Sequence, residues 1–201
     1  MDSTNKYRYF NIKMDSTNKY RYFRIINNVT VDLSLFIIMK RITQDNNDNN
    51  LYSYIFFLRH ANENSIPISD INEILLDIEI KFPSILETVW DFTENVIFVK
   101  SMVTDCTYRN RGLGSLLMIS CAYIAEHFGL KSIELDDMTD NFRKSNNFYS
   151  NLSFRYVEDG MPEMIGFCNQ IVRKRMHLKK KYDLQFDIFK SLIPKRSINI
   201  F

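Results

Sequence analysis

The sequence predicts an α/β domain, and three observations carry the prediction. The chain has 201 residues, 45% of them apolar and 25% charged, which suits one ordinary globular domain with short extensions. From Val96 onward it reads strand, glycine turn, helix, strand, helix, strand. Two of only five glycines, Gly112 and Gly114, fall together at the first strand-to-helix junction. The same composition excludes a collagen-like chain, and the longest apolar run, Leu35–Met39, is far too short to cross a bilayer. Cys106, Cys121 and Cys168 are widely spaced and odd in number, so neither a disulfide framework nor a cysteine metal site is expected. With no apolar leader, an intracellular, cytoplasmic setting is expected. A net charge of +2 directs attention to local clusters instead of a global field.

The first ten residues, MDSTNKYRYF, recur unchanged at 14–23. Residues 1–13 read as a duplicated leader, non-native or disordered, ahead of a domain over 14–178 and an extension over 179–201. The alternation of Tyr7, Tyr9, Tyr20 and Tyr22 also fits an extra edge strand. Tyr20–Ile26 reads as a first strand. Residues 31–42 remain open between a helix capped by Asp32 and a buried strand, followed by a solvated DNNDNN loop and the aromatic run Leu51–Leu58. Ser69-Asp70 opens a helix with Ile71, Ile74, Leu75 and Ile78 on one face, which Pro83 ends. Ser84–Phe92 reads as another short helix.

Val96–Val103 is apolar enough to be a central strand. A helix over Ser115–Phe128 buries Leu116, Leu117, Ser120, Cys121 and Ile124, and Gly129 stops it. Lys131–Leu135 is the next strand. Asp140 or Asn141 caps a helix running to Asn151, and Phe154–Val157 is a strand again.

Arg109-Asn110-Arg111-Gly112-Leu113-Gly114 occupies the junction between the strand and the long helix. A helix N-terminus presents unpaired N–H groups and the positive end of its dipole. Glycines there admit a phosphate without an intervening Cβ, and two arginines supply charge. The segment predicts anion binding.

This Arg-x-x-Gly-x-Gly loop resembles the first motif of the GCN5-related N-acetyltransferases, the GNAT superfamily. Asn147-Phe148-Tyr149-Ser150-Asn151-Leu152-Ser153-Phe154 resembles the family's second motif, Phe-Tyr-x-x-x-Gly-Phe, with Ser153 in place of glycine. The likeness spans about Val96–Val157. It implies the GNAT fold, a central mixed, mostly antiparallel sheet flanked by helices. It further implies acetyl transfer from acetyl-CoA to a primary amine, by direct attack through a tetrahedral intermediate. By the same resemblance Arg109, Asn110, Arg111, Gly112, Leu113, Gly114 and Ser115 hold the cofactor's pyrophosphate. A backbone N–H near Met102 or Val103 is the oxyanion donor, and Asn141 and Lys144 reach the pantetheine or phosphates. Tyr149 stands where the family's general acid stands. A phenol is competent to protonate a departing thiolate of pKa about 8.5.

For the base, Glu134, Asp136, Asp137 and Asp105 are candidates near strand ends, and the strand Val96–Val103 offers no glutamate. No metal is expected. The partner is an amine-bearing small molecule or protein; no membrane is expected, and a homodimer is compatible with the sequence. Arg173–Arg175 and Lys179–Lys181 read as a final strand with a cationic face, not as a nucleic-acid site. A catalytically silent acyl-CoA-binding or protein-interaction module on the same fold is the competing reading, and nucleic-acid binding through the basic stretch is the third.

Overall fold

The computed structural model describes residues 18–26, 32–41, 51–60, 82–139, 143–144 and 147–174. Among them, the strands β1 (Asn18–Ile26), β2 (Asp32–Arg41), β3 (Leu51–His60), β4 (Ser84–Asp91), β5 (Val96–Thr104), β6 (Ser132–Asp136), β7 (Arg155–Tyr156) and β8 (Glu163–Phe167) form one sheet. Its order is β1-β2-β3-β4-β5-β6-β8-β7. Only β5 and β6 run parallel; every other pairing is antiparallel. The helices are α1 (Leu113–Phe128), α2 (Phe148–Asn151) and α3 (Cys168–Arg173), with a 3-10 turn at Cys106–Tyr108. This is a mixed, mostly antiparallel sheet with flanking helices, as expected.

Within the stretch 31–60 the described residues are the two paired strands β2 and β3, with Leu35 opposite Leu58 and Ile38 opposite Ile55. The helix expected over Ser84–Phe92 is instead β4. Ile85, Leu86, Val89 and Trp90 fit a helical stripe, but the pairing decides otherwise: Leu86, Thr88 and Trp90 alternate onto the face that α1 covers, between β3 and β5. The helix expected from Asp140 or Asn141 is only the four residues of α2, because the cap is Asn147, whose Oδ1 accepts from the N–H groups of Tyr149 and Ser150. Arg173 ends a helix, α3, and not a strand. The leader, the helix expected from Ser69-Asp70, Asn141 and the chain beyond Lys174 lie outside the described residues.

The main core cluster lies on the sheet face that the helices cover. Leu86, Trp90, Ile97, Ile133 and Met164 meet Leu116, Leu117 and Cys121 of α1 and Ile171 of α3. Trp90 is the hub: its ring stacks on Tyr54 at 4.0 Å, and its Nε1 donates to Thr88 Oγ1 at 2.8 Å. Thr88 in turn donates to the Tyr54 carbonyl, so both buried polar groups are satisfied.

Candidate active site

β5 and β6 pair over just three residues, Val96 with Ser132, Ile97 with Ile133 and Phe98 with Glu134. β5 then continues to Thr104 beside β4, while β6 continues to Asp136 beside β8. The two strands therefore part at their carboxyl ends, and an opening between parallel strands at that end is where α/β sheets place ligands. A register shift between Glu87 and Thr88 leaves Lys100 as the extra residue of a β-bulge in β5, at the start of the parted stretch.

The ladder tells which backbone groups face that opening. Asp105 N–H donates to the Pro83 carbonyl at 3.2 Å, which makes this opposed pair a hydrogen-bonded one. Alternation then makes Ile85 and Val103 hydrogen-bonded and the intervening Met102 not. Val103 thus spends its main-chain groups on β4, and Ser84 Oγ donates to its carbonyl as well. Met102 and Thr104 direct theirs outward, and the Thr104 carbonyl accordingly accepts from Arg109 Nε at 3.3 Å.

Beyond Thr104 the chain makes the 3-10 turn, capped by Asp105, and reaches the glycine loop. Asn110 has φ +59° and Gly112 φ +82°, so the backbone twice enters the left-handed region on its way into α1. Asparagine and glycine are the residues that tolerate it. Gly112 is the N-cap and offers no side-chain acceptor; the first intrahelical bond is Leu116 N–H to the Gly112 carbonyl. The N–H groups of Leu113, Gly114 and Ser115 consequently converge without an intrahelical partner. Arg109 and Arg111 are exposed on the same loop, the latter over the Tyr108 ring at 5.3 Å. Uncapped donors, left-handed turns and two cations fit a diphosphate.

Gly114 joins this loop to the second motif. A Cβ there would sit 3.4 Å from Phe148 and 3.5 Å from Thr104 Oγ1, so α2 and the end of β5 both close on the start of α1. Tyr149 follows Phe148. It is 7% exposed, its ring edge-to-face with Phe148 at 5.1 Å and Phe154 at 5.8 Å. Burial, and then the nearby Asp137 charge, push its hydroxyl up to about 12, and no hydrogen bond contributes to the shift. It is protonated at any physiological pH. Ser153, in the position the motif usually gives to glycine, has φ +73°, which explains that preference for glycine.

The candidate bases separate clearly. Asp105 accepts from Thr107 N–H and hydroxyl; the hydroxyl bond is the larger cause of a carboxyl held below its usual range. Asp137, 2% exposed, accepts from Thr139 N–H (3.1 Å), Thr139 Oγ1 (2.6 Å), Asn147 Nδ2 (2.5 Å) and Tyr156 hydroxyl (2.5 Å). Burial alone would raise its pKa, yet these bonds outweigh it and hold the carboxyl low. Four donors leave it no lone pair for an incoming amine. Glu134 and Asp136 project on the sheet face opposite α1, Glu134 across from Phe98. Lys144 is exposed, and its neighbour Arg143 is tied to the 158–161 turn through the carbonyls of Glu158 (2.6 Å) and Met161 (3.3 Å). The structure gathers Met102, the 109–115 loop and Tyr149 at one end of the sheet. Asn147 is a local cap for Tyr149 and Ser150, but its bond to Asp137, ten residues away, and that of Tyr156 to Asp137, nineteen away, leave no local pattern to mark the cluster.

No curated protein matches the chain. Solved structures resemble it at low identity. A GNAT-family acetyltransferase from Staphylococcus aureus Mu50 is 16% identical over 58% of this chain and 68% of that one, with a TM-score of 0.43. Ard1 from Thermoplasma volcanium is 14% identical over 56% and 69%, TM-score 0.39. The ribosomal-protein-S18-alanine N-acetyltransferase of Escherichia coli is 16% identical over 57% and 68%, TM-score 0.36. The model of the acetyltransferase (GNAT) family matches residues 84–154, from the first residue of β4 through both motifs. The segment that the GNAT acetyltransferase family model matches is the one that holds the glycine loop, the parted strands and Tyr149.

Proposed function

We propose that the chain transfers the acetyl group of acetyl-CoA to a primary amine. One observation carries the reading: the uncapped start of α1, entered through two left-handed residues, stands at the carboxyl ends of the parted strands β5 and β6. The N–H groups of Leu113, Gly114 and Ser115, with Arg109 and Arg111, hold the diphosphate. The donor brings an activated thioester. Met102 N–H, turned away from β4, donates to the carbonyl oxygen as charge develops on it in the tetrahedral intermediate. Tyr149, neutral because its hydroxyl titrates near 12, gives its proton to the departing thiolate sulfur. The amine must arrive unprotonated. With the Asp137 carboxylate fully occupied, water at the opening or Glu134 takes its proton.

Thermal shift provides the test. A ligand that binds only the folded state raises the melting temperature. Acetyl-CoA should do so and oligonucleotides should not. Release of free CoA thiol with a panel of amines then separates an enzyme from a silent acyl-CoA-binding module. Stabilisation by oligonucleotide alone overturns the reading.

A further inference from the structure

The Asp137 carboxylate accepts four hydrogen bonds, and the chemistry above uses none of them. Its position gives it a task. Asp137 follows the last residue of β6 and is itself fixed by its N–H to the Pro162 carbonyl at 2.8 Å. Asn147, fully buried, bridges from it to α2: Nδ2 donates to Asp137 Oδ2 at 2.5 Å, and Oδ1 accepts from Tyr149 N–H at 2.8 Å and Ser150 N–H at 3.2 Å. α2 has four residues and cannot hold a helical turn by itself. Its cap therefore decides where Tyr149 sits. Tyr156 closes the group from the other side, its hydroxyl donating to Asp137 Oδ2 and accepting from Arg143 N–H at 2.7 Å.

We propose that Asp137, acting through Asn147, is a positioning residue for the proton donor Tyr149. The chain of bonds runs from the end of β6 to the Tyr149 main chain and fixes the short helix that carries the phenol. The proposal rests on Tyr149 being the acid, so the experiment includes a variant that tests that separately.

In Asp137→Asn an amide nitrogen can replace Oδ2 and face Asn147 Nδ2, donor against donor. kcat should fall about tenfold or more, while KM for acetyl-CoA stays within about twofold, as expected when binding is intact and the acid is misplaced. Combining Asp137→Asn with Asn147→Asp exchanges donor and acceptor and restores the bond, and kcat should recover to within about threefold of the parent. Adding Asp137→Asn to Tyr149→Phe should cost nothing further, because both act on one proton transfer. If Asp137→Asn does not fold, Asn147→Ser replaces it: it keeps a cap acceptor, cannot reach Asp137, and should give the same kcat loss. Losses that multiply with Tyr149→Phe, or a swapped pair that stays slow, overturn the positioning role. Full turnover in Tyr149→Phe alone overturns the acid reading, and the positioning role with it.

Discussion

Replacing Tyr149 by phenylalanine removes one oxygen and leaves the ring. The ring contacts with Phe148 and Phe154 persist, and no hydrogen bond accounts for the hydroxyl's raised pKa, so none of that kind is lost. The melting temperature should therefore move by no more than about 2 °C. Turnover is another matter. With its pKa raised to about 12, only about one Tyr149 hydroxyl in 10⁴ is ionised at pH 8, so the donor is present in essentially every molecule. Removing it should lower kcat by roughly 10²–10⁴-fold, measured as release of free CoA thiol under saturating acetyl-CoA, with calorimetric affinity for the cofactor unchanged. Raising the pH should restore little, since the missing proton is needed on the sulfur and not removed from the amine. A donor whose leaving thiol has a lower pKa should suffer less, because it departs unaided. Full activity in Tyr149→Phe refutes the acid. A loss of affinity with kcat intact makes Tyr149 a cofactor contact instead.

Three further outcomes follow from the same geometry. Gly112→Ala places a Cβ at φ +82°, so it should cost about 1–2 kcal/mol of stability and weaken acetyl-CoA binding in calorimetry well beyond the effect of Arg109→Ala; a greater loss in Arg109→Ala would give the arginine the larger share. Ser153→Gly relieves φ +73° and should raise the melting temperature by a few degrees, about 0.5–1 kcal/mol, without changing turnover. The Asp137 carboxyl is held below its unfolded value of 3.8, so its stabilisation is full above that pH and is lost as the pH falls further; melting scans from pH 5 to 2 should show this slope in the parent and lose it in Asp137→Asn.

The α/β half was legible because its signals are local. Val96–Val103 is mostly apolar, Gly112 and Gly129 bracket a helix, and each glycine takes the left-handed conformation its position asks for. β4 was not legible in the same way. Ile85, Leu86, Val89 and Trp90 satisfy a helical stripe and a two-sided strand equally, and only the pairing with β3 on one side and β5 on the other chooses between them. The branched and aromatic composition, with Thr88 and Trp90, was the available hint. α2 was overestimated for a related reason: several polar residues before Phe148 are competent caps, and Asn147 wins because Asp137 receives its amide. For the proposed site, the motifs pointed to Tyr149 and the 109–115 loop. The choice of Met102 over Val103 needed the strand register, which no local pattern contains.

Helix α1 is buried from Leu113 to Ala125 except at Ser115, with the sheet on one side and α3 on another. A helix so enclosed has no low-energy way to fray. Its central amides should exchange hydrogen only when the whole domain opens, whereas those of the 105–112 loop, on exposed turns, should exchange through small local openings. The boundary between these two regimes falls at Leu116, the first residue whose N–H is bonded within the helix, to the Gly112 carbonyl. The loop can thus rearrange around an arriving ligand while the helix body behind it stays fixed, and protection gained on binding the proposed cofactor should extend through the amides of Leu113, Gly114 and Ser115 and stop there.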